Sequence, residues 1–184
     1  MTIERITPKQ YPQYPRVDFG RRAMALATDF LIVWLVSATL LSNQVGIQVV
    51  PILVFITGWV ILRVILPYNN QGQSLGRWAF DIKVLEAGQG RIPDLQALCK
   101  REVIVGSCAL LVSIALTNIV HDPTAILLVS PLVIDCGAAF YDTQLRQALH
   151  DRYARTVIVS SRRGYSLDIK VKRIVEKIRR NMRR

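Results

Sequence analysis

The sequence predicts an all-α membrane protein with four transmembrane helices in two hairpins, a small cytoplasmic β element and a basic C-terminal tail. The first observation is the composition, because 51% of the 184 residues are hydrophobic although 24 are Lys or Arg. The second is that these two kinds of residue are segregated into four long apolar runs and the connections between them. A multi-pass membrane protein has this layout. We therefore divide the chain into a cytoplasmic segment 1–22, a membrane domain 23–160 and a cytoplasmic tail 161–184.

The first two apolar runs are each long enough to cross a bilayer. They cover residues 23–42 and 47–66, and twenty helical residues span about 30 Å, the thickness of the hydrocarbon core. Pro51 lies in the first turns of the second run, where a missing N–H does least harm, and Pro67 is expected to end it. The connection 43–46 is so short that the two helices should form an antiparallel hairpin.

The second hairpin is predicted from residues 102–120 and 123–141, with only His121 and Asp122 between the two spans. Asp94 follows Pro93 and is expected to cap a helix that leads into the third span. Pro131 should kink the fourth span and free a backbone carbonyl.

The distribution of positive charge orients the spans. Residues 1–22 and 67–101 carry five Lys or Arg each, residues 142–184 carry thirteen, and the connections 43–46 and 121–122 carry none. Because cytoplasmic connections are enriched in Lys and Arg, both termini and the loop 67–101 should be cytoplasmic.

Two further elements are predicted on the cytoplasmic side. Residues 80–86 alternate apolar and polar side chains before the turn 87–90, and residues 155–161 form another short β-type run, so we expect a small sheet that joins them. The tail from about Val171 has an apolar helical stripe between basic residues. It is either an amphipathic helix on the anionic inner leaflet or a solvated, disordered segment.

Ionisable residues at membrane depth form the candidate site. Asp29 lies seven residues after Arg22, on the same helical face and roughly 10 Å below the cytoplasmic edge. Asp135 lies roughly 9 Å from the same edge, and Arg63 is slightly shallower. Since exposing one such charge to lipid costs about 2.5–3.5 kcal/mol, we expect Arg22, Asp29, Arg63 and Asp135 to form a near-neutral cluster inside the bundle. This cluster either fixes helix packing by ion pairing or takes up a proton or a cation on one carboxylate.

Three blocks in order, over about residues 16–160, resemble the RDD family of bacterial membrane proteins, which is named for an arginine and two aspartates. The second namesake aspartate corresponds to Asp135 or to Asp151. The matching residues are Arg22 and Asp29, then Gly72, Ser74, Leu75, Gly76 and Arg77, and then Asp135, Leu149, His150, Asp151, Thr156 and Val157. The resemblance implies a multi-pass protein of the bacterial inner membrane. It implies no settled activity, although transport, including sodium/proton antiport, has been proposed for some members.

The cytoplasmic family motifs also have simple structural interpretations. The segment 72–77 is expected to form a turn in which Gly72 and Gly76 allow close approach to the membrane surface, with Arg77 and Trp78 as interfacial anchors. His150 and Asp151 are expected to orient each other or to cap a turn.

Several classes of function are not indicated by the sequence. It has no phosphate-binding loop, nucleophile motif or metal-type spacing, so we expect a non-enzyme without cofactor or metal. Its three cysteines, Cys99, Cys108 and Cys136, are expected to be packing residues. The basic segments flank apolar spans and lack interleaved aromatics, so no nucleic acid is expected as a partner.

Two functions therefore stand side by side. The first is an ion or small-solute transporter that uses the intramembrane Asp and Arg residues, as a homo-oligomer. The second is a scaffold or assembly factor that binds another membrane protein or anionic lipid. The expected partners are the lipid bilayer, anionic head groups at the basic tail, and a second copy or another membrane protein.

Overall fold

The computed structural model describes residues 17–40, 48–141 and 147–161, without the side chains of residues 140 and 141. The first half contains α1 (Phe19–Ala38), α2 (Val49–Val60), a π turn (Ile61–Ile65), α3 (Leu66–Asn69), α4 (Leu75–Ala79) and β1 (Ile82–Glu86). The second half contains α5 (Leu95–Asn118), a 3-10 segment (Pro123–Val129), α6 (Ser130–Tyr141), α7 (Leu149–Tyr153) and β2 (Thr156–Ser160). The prediction of a mostly helical chain with a small sheet is confirmed. The predicted tail helix and the connection 43–46 lie outside the described residues.

The long helices coincide with the predicted spans but begin at different residues. Within the described ranges, one helix, Val49–Asn69, is long and apolar enough to cross a membrane, and the apolar helix Pro123–Ala139 is shorter. Helix α1 begins at Phe19 and α5 at Leu95, both before the predicted spans. The predicted cap of α5 is confirmed, since the Asp94 carboxylate accepts a 2.8 Å hydrogen bond from the Leu95 N–H.

The prediction that Pro67 ends the second span is wrong, because the helix continues to Asn69. In an α-helix the ring of Pro67 would clash with the carbonyl four residues earlier, that of Arg63. The turn before it is instead widened to a π turn, in which the Leu66 N–H bonds to the carbonyl of Ile61. The π turn lets the helix pass Pro67 and contains Arg63.

Pro131 occupies the second position of α6, where the 3-10 segment becomes α-helical. In a continuous α-helix the residue at position 131 would donate its N–H to the carbonyl of Leu127, which a proline cannot do. The hydroxyl of Ser130 donates to that carbonyl at 2.7 Å. The carbonyl predicted to be freed by Pro131 is therefore satisfied locally.

Strands β1 and β2 pair antiparallel, from Ile82 opposite Ser160 to Glu86 opposite Thr156. The predicted strands and their pairing are confirmed. Ile82, Val84 and Ile158 pack in one cluster with Ala25 of α1. The sheet is therefore held against the first turns of α1.

The bundle has an aromatic core between α1, α2 and α5. Phe30 packs edge-to-face on Phe55 at 6.0 Å between ring centroids, and Phe55 stacks on Trp59 at 5.6 Å. Val33 of α1 and Val105 of α5 are buried in the same cluster.

The two halves of the chain repeat one unit at a spacing of 74 residues. The five-residue helices begin at Leu75 and Leu149, and the five-residue strands begin at Ile82 and Thr156. Each helix is followed by one residue in the left-handed region, Asp81 with φ 58° and Arg155 with φ 51°. The long helices before them follow the same order, and the second helices begin at residues 49 and 123.

The repeat makes the sheet symmetric. Val84 lies opposite Ile158, and these residues are themselves 74 positions apart, so the register maps onto itself when the halves are exchanged. The equivalent bonds at the two ends are the Ser161 N–H to the Asp81 carbonyl at 2.9 Å and the Ala87 N–H to the Arg155 carbonyl at 2.7 Å. A local two-fold axis therefore passes between the strands.

Candidate functional site

Asp29 joins α1 to the start of α4. Its side chain is 0% exposed. One carboxylate oxygen accepts from the Gly76 N–H at 2.7 Å, and the other accepts from the Ser74 hydroxyl at 2.6 Å and from Arg63 Nη1 at 2.8 Å. The cationic partner and the two further donors orient this carboxylate and satisfy both of its oxygens. Asp29 therefore acts as a fixed anion at the centre of three elements.

The motif glycines allow these close contacts. A Cβ at Gly76 would collide with the backbone carbonyl of Ala25 and lie 2.9 Å from the Asp29 carboxylate. Gly72 has φ 81°, and a Cβ there would collide with the carbonyl of Val84. The close approach is therefore to α1 and β1, not to the membrane surface as predicted.

Glu102 on α5 receives two guanidinium groups. Arg63 binds both of its oxygens, at 2.9 Å from Nε and 3.2 Å from Nη2, and Arg77 donates from Nη2 at 2.9 Å. The guanidinium of Arg63 also lies 5.1 Å from the centroid of the Trp59 ring, close enough for a cation–π contact. Arg63 thus links Asp29 of α1 with Glu102 of α5.

Arg77 was predicted to be an interfacial anchor, and this is wrong, because its side chain is buried against Glu102. Burial and the neighbouring charges of Arg63 and Arg101 lower the pKa of Arg77 to about 9. That value is still above neutral pH, so Arg77 carries its charge and contributes to the network as a cation.

Asp135 on α6 binds His150 on α7. Its oxygens accept from the His150 N–H at 3.0 Å and lie 2.5 Å from His150 Nδ1. On the other side of the ring, Arg101 Nη2 lies 3.3 Å from Nε2. Because a guanidinium can only donate, Nε2 accepts and the ring hydrogen is on Nδ1. In this arrangement the imidazole donates from Nδ1 to Asp135.

Asp151 and Arg101 complete a second charged group, which consists of Arg101, Asp135, His150 and Asp151. The first charged group consists of Asp29, Arg63, Arg77 and Glu102. Arg101 Nε lies 3.2 Å from Asp151 Oδ1, which also accepts from the Thr156 hydroxyl at 3.2 Å. Burial alone raises the pKa of Asp151, but Arg101 and other cationic neighbours outweigh it and hold the pKa below its ordinary value. Arg101 Nε is also 3.9 Å from Glu102, so the two groups are adjacent.

The four residues predicted to cluster are distributed over both groups. Asp29 and Arg63 are bonded to each other, whereas Asp135 is bonded to His150. Arg22 donates from Nη2 to the carbonyl of Ile158 at 3.1 Å, and its charge acts on Asp151 of the second group. Asp29 and Arg63 therefore lie together as predicted, whereas Arg22 and Asp135 contact residues of the second repeat.

Asp29 and Asp135 nevertheless bind equivalent N–H groups of the repeat, although they stand on non-equivalent helices, α1 and α6. The N–H groups that they bind belong to Gly76 and His150, the second residues of α4 and α7. A carboxylate from a long helix therefore fixes each short helix. The difference is the second oxygen, which meets a permanent cation in the first half and an imidazole in the second.

The second group is less saturated than the first. Among the described residues, Nε and Nη1 of Arg101 and Oδ2 of Asp151 are buried without a hydrogen-bond partner, whereas the first group has one such atom, Nη1 of Arg77. Both oxygens of Asp29, in contrast, have donors. A buried polar atom without a partner is costly unless water or another group supplies one. The second group is therefore the part of the core that can accept a further hydrogen-bonding group.

Sequence reasoning missed Arg101 and Glu102 as members of the site. They stand at the border between the basic loop and the third apolar run, where charged residues are common. The recurrence of Gln73 and Leu75 as Gln147 and Leu149, at the same spacing as the strands, is a sequence pattern that could have revealed the paired units. Within the described ranges, no group of three His, Cys, Asp or Glu residues is arranged to hold a metal ion.

The model of the RDD family matches residues 16–155. This range includes both aspartates that fix the short helices and every side chain of the two charged groups. No curated protein and no solved structure matches the chain.

Proposed function

Since the chain belongs to the RDD family, we propose that it is a four-span protein of the bacterial inner membrane with both termini and the loop 67–101 on the cytoplasmic side. The distribution of burial supports this, because charged side chains are enclosed while large apolar side chains cover the outer faces of the long helices. Largely exposed examples are Leu35, Val36, Val49, Leu53, Leu127, Val133 and Ile134. Contiguous apolar surface of this kind needs a lipid or protein environment. The alternation of basic connections supplies the orientation.

Within that membrane protein, we infer a transport function in which a proton or small cation is exchanged at the second charged group. The observation that carries it is the Asp135–His150 pair, in which a titratable imidazole bonds a buried carboxylate. Histidine is the side chain whose ordinary titration lies nearest neutral pH. Asp29, which has an arginine and two further donors, is a fixed structural anion instead.

Protonation of His150 would change specific contacts. A hydrogen on Nε2 would point toward Arg101, whose guanidinium now donates to that atom at 3.3 Å. Asp151 Oδ1, 3.6 Å from Nε2, would become the better partner. Proton uptake would therefore move Arg101 away from α7 and alter the contact between α5 and α7.

Of two described cavities, the larger, about 440 Å³ between α1 and α2, is apolar, and the polar one is too small for an organic solute. A polar pocket of about 30 Å³ lies between α1, α2 and α5, lined by Ser37, Ser113, Thr117 and Asn118 among others. That volume holds about two water molecules. A larger path would form between subunits, which agrees with the expected homo-oligomer.

Transport is tested in vesicles of phosphatidylethanolamine and phosphatidylglycerol with an imposed pH or sodium gradient. We expect the wild type to dissipate the gradient, and Asp135→Asn and His150→Gln to slow the dissipation about a hundredfold or more, the effect typical of losing a proton-transfer group. Asp122→Asn, in the exposed turn before the 3-10 segment, is the matched control and should leave the rate unchanged. Equal rates in wild-type and protein-free vesicles would contradict transport.

A scaffold or assembly factor is the second candidate. It is favoured by the saturated contacts of Asp29, Arg63 and Glu102, which lock α1, the π turn and α5 without offering a binding group. The thirteen Lys and Arg residues after position 141 would serve anionic lipid or an acidic partner. Purification in mild detergent would then recover a stoichiometric membrane protein, and inactive vesicles together with such a partner would establish this function.

A further inference from the structure

The short helix α4 has its polar and apolar faces reversed relative to a helix in water. Ser74 and Arg77 are buried in the charged network, whereas Leu75 is 46% and Trp78 58% exposed. In a water-soluble protein the apolar side would face the core and the arginine would face solvent. The reversal indicates an apolar environment outside α4.

Helix α7, the equivalent of α4 in the second half, shows the same reversal. His150 and Asp151 are buried, whereas Leu149 is 44% and Tyr153 67% exposed. Leu149 stands at the position of Leu75. The property thus belongs to both copies of the repeat, although their buried charges differ.

The long helices fix the depth of these two short helices. Asp29, which binds the N–H of Gly76, lies ten residues after Phe19, or about 15 Å along α1. Asp135, which binds the N–H of His150, lies six residues before Tyr141, or about 9 Å from the end of α6. Both short helices therefore begin beside the long helices and not beyond their ends.

We propose that α4 and α7 are a two-fold-related pair of half-inserted membrane helices that bind lipid at the boundary between head groups and acyl chains. Trp and Tyr prefer this level because their rings are apolar and their N–H or O–H groups remain hydrated. The lipid is the favoured occupant because α4 follows the span Val49–Asn69 after a short turn, and Tyr68 at its end is exposed too. The exposed Arg152 and Arg155 beside Tyr153 suit anionic head groups.

This proposal rests on membrane insertion, the first part of the proposed function, and is independent of transport. Trp78 is the natural probe, because replacing Trp34 and Trp59 by Phe leaves it as the single tryptophan. Tyr153→Trp in a background that also lacks Trp78 reports on α7. Gln89→Trp, in the exposed turn after β1, is the matched control, and Leu53→Trp, exposed on α2, reports on the span.

The four proteins are reconstituted in phosphatidylcholine and phosphatidylglycerol vesicles, with bromine either near the glycerol end or near the methyl end of the acyl chains. We expect position 78 and position 153 to lose most fluorescence with shallow bromine and little with deep bromine. Position 53 should respond to bromine, and position 89 should respond only to aqueous iodide.

Two results would overturn the proposal. If positions 78 and 153 respond to iodide like position 89 while position 53 responds to bromine, the chain is inserted but its short helices are in water. If they are shielded from both quenchers and become accessible on dilution of the protein in lipid, a second copy covers them. Loss of the bromine response at position 53 would instead refute the membrane insertion itself.

Discussion

Gln73 and Gln147, 74 residues apart, donate the same hydrogen bond, each from its side-chain amide to the carbonyl nine residues further on. The distances are 2.9 Å to Ile82 and 2.8 Å to Thr156. Both side chains are buried, and each hydrogen bond links the segment before a short helix to the first residue of the strand that follows that helix. The paired sheet is thus supported by the same bond on both sides of its axis.

Replacing either glutamine by leucine should destabilise the fold by about 1–3 kcal/mol, because a buried carbonyl loses its donor. We expect the larger loss for Gln147→Leu, since the Gln73 oxygen has no described partner and its removal relieves an unpaired atom. Thermal unfolding in detergent measures both. The free energy of unfolding of Gln96→Leu, exposed on α5, should stay within about 0.5 kcal/mol of the wild type. If the variants at positions 73 and 147 were as stable as this control, the two glutamine bonds would not support the paired sheet.

Gly76→Ala should destabilise the protein by about 1–3 kcal/mol, the range for overpacking. The added methyl group would meet the Ala25 carbonyl and the Asp29 carboxylate, so α4 would have to move away from α1. Gly137→Ala is the matched control, because a Cβ there meets nothing within 4 Å and an alanine favours the helix. The melting temperature should therefore fall for the first variant and hold or rise for the second.

Cys99 tests the orientation of α5 in the membrane. It is exposed near the start of this helix, whereas Cys108 and Cys136 are partly buried further along the spans. A membrane-impermeant maleimide should label Cys99 in inside-out vesicles but not in intact cells. Val120→Cys, at the highly exposed opposite end, should show the reverse pattern in a background without Cys99. Labelling of both positions from one side would refute the four-span arrangement.

Asp151 should make the stability of the fold depend on acidity. Its pKa is lower in the folded protein than in the unfolded chain, so the stabilisation is present above the ordinary value and is lost as the pH falls through the folded one. Asp151→Asn should lower the melting temperature at neutral pH and reduce its further fall below about pH 4. Asp94→Asn, which can still cap α5, should keep the wild-type profile, and identical acid profiles for wild type and Asp151→Asn would refute this role.

The elements that depend on local pattern could be predicted from the sequence. Apolar runs located the long helices, alternation located β1 and β2, and Asp94 was assigned as a cap. Burial of Asp29 and Arg63 could also be predicted, because lipid exposure of a charge is costly. These predictions need only the composition of each segment and the spacing of its apolar residues.

The partners of the charged residues could not be predicted, because they depend on which helix faces meet. Glu102 becomes the centre of the network only when the π turn rotates Arg63 toward α5, and no periodicity shows that turn. The contact of Asp135 with His150 likewise depends on how α7 folds back against α6. Arg77 looked like an interfacial anchor because its buried counter-charge lies 25 residues away.

Because the two halves related by the two-fold axis belong to one chain, equivalent positions in the two halves can carry different residues. Two identical subunits around the same axis would carry the same residue on both sides, so an arginine at one site would face an arginine at the other. Here the third residue of α4 is Arg77 and the third residue of α7 is Asp151. Covalent fusion of the halves thus permits opposite charges at matching positions, and with them a polar interior that is positive on one side and negative on the other.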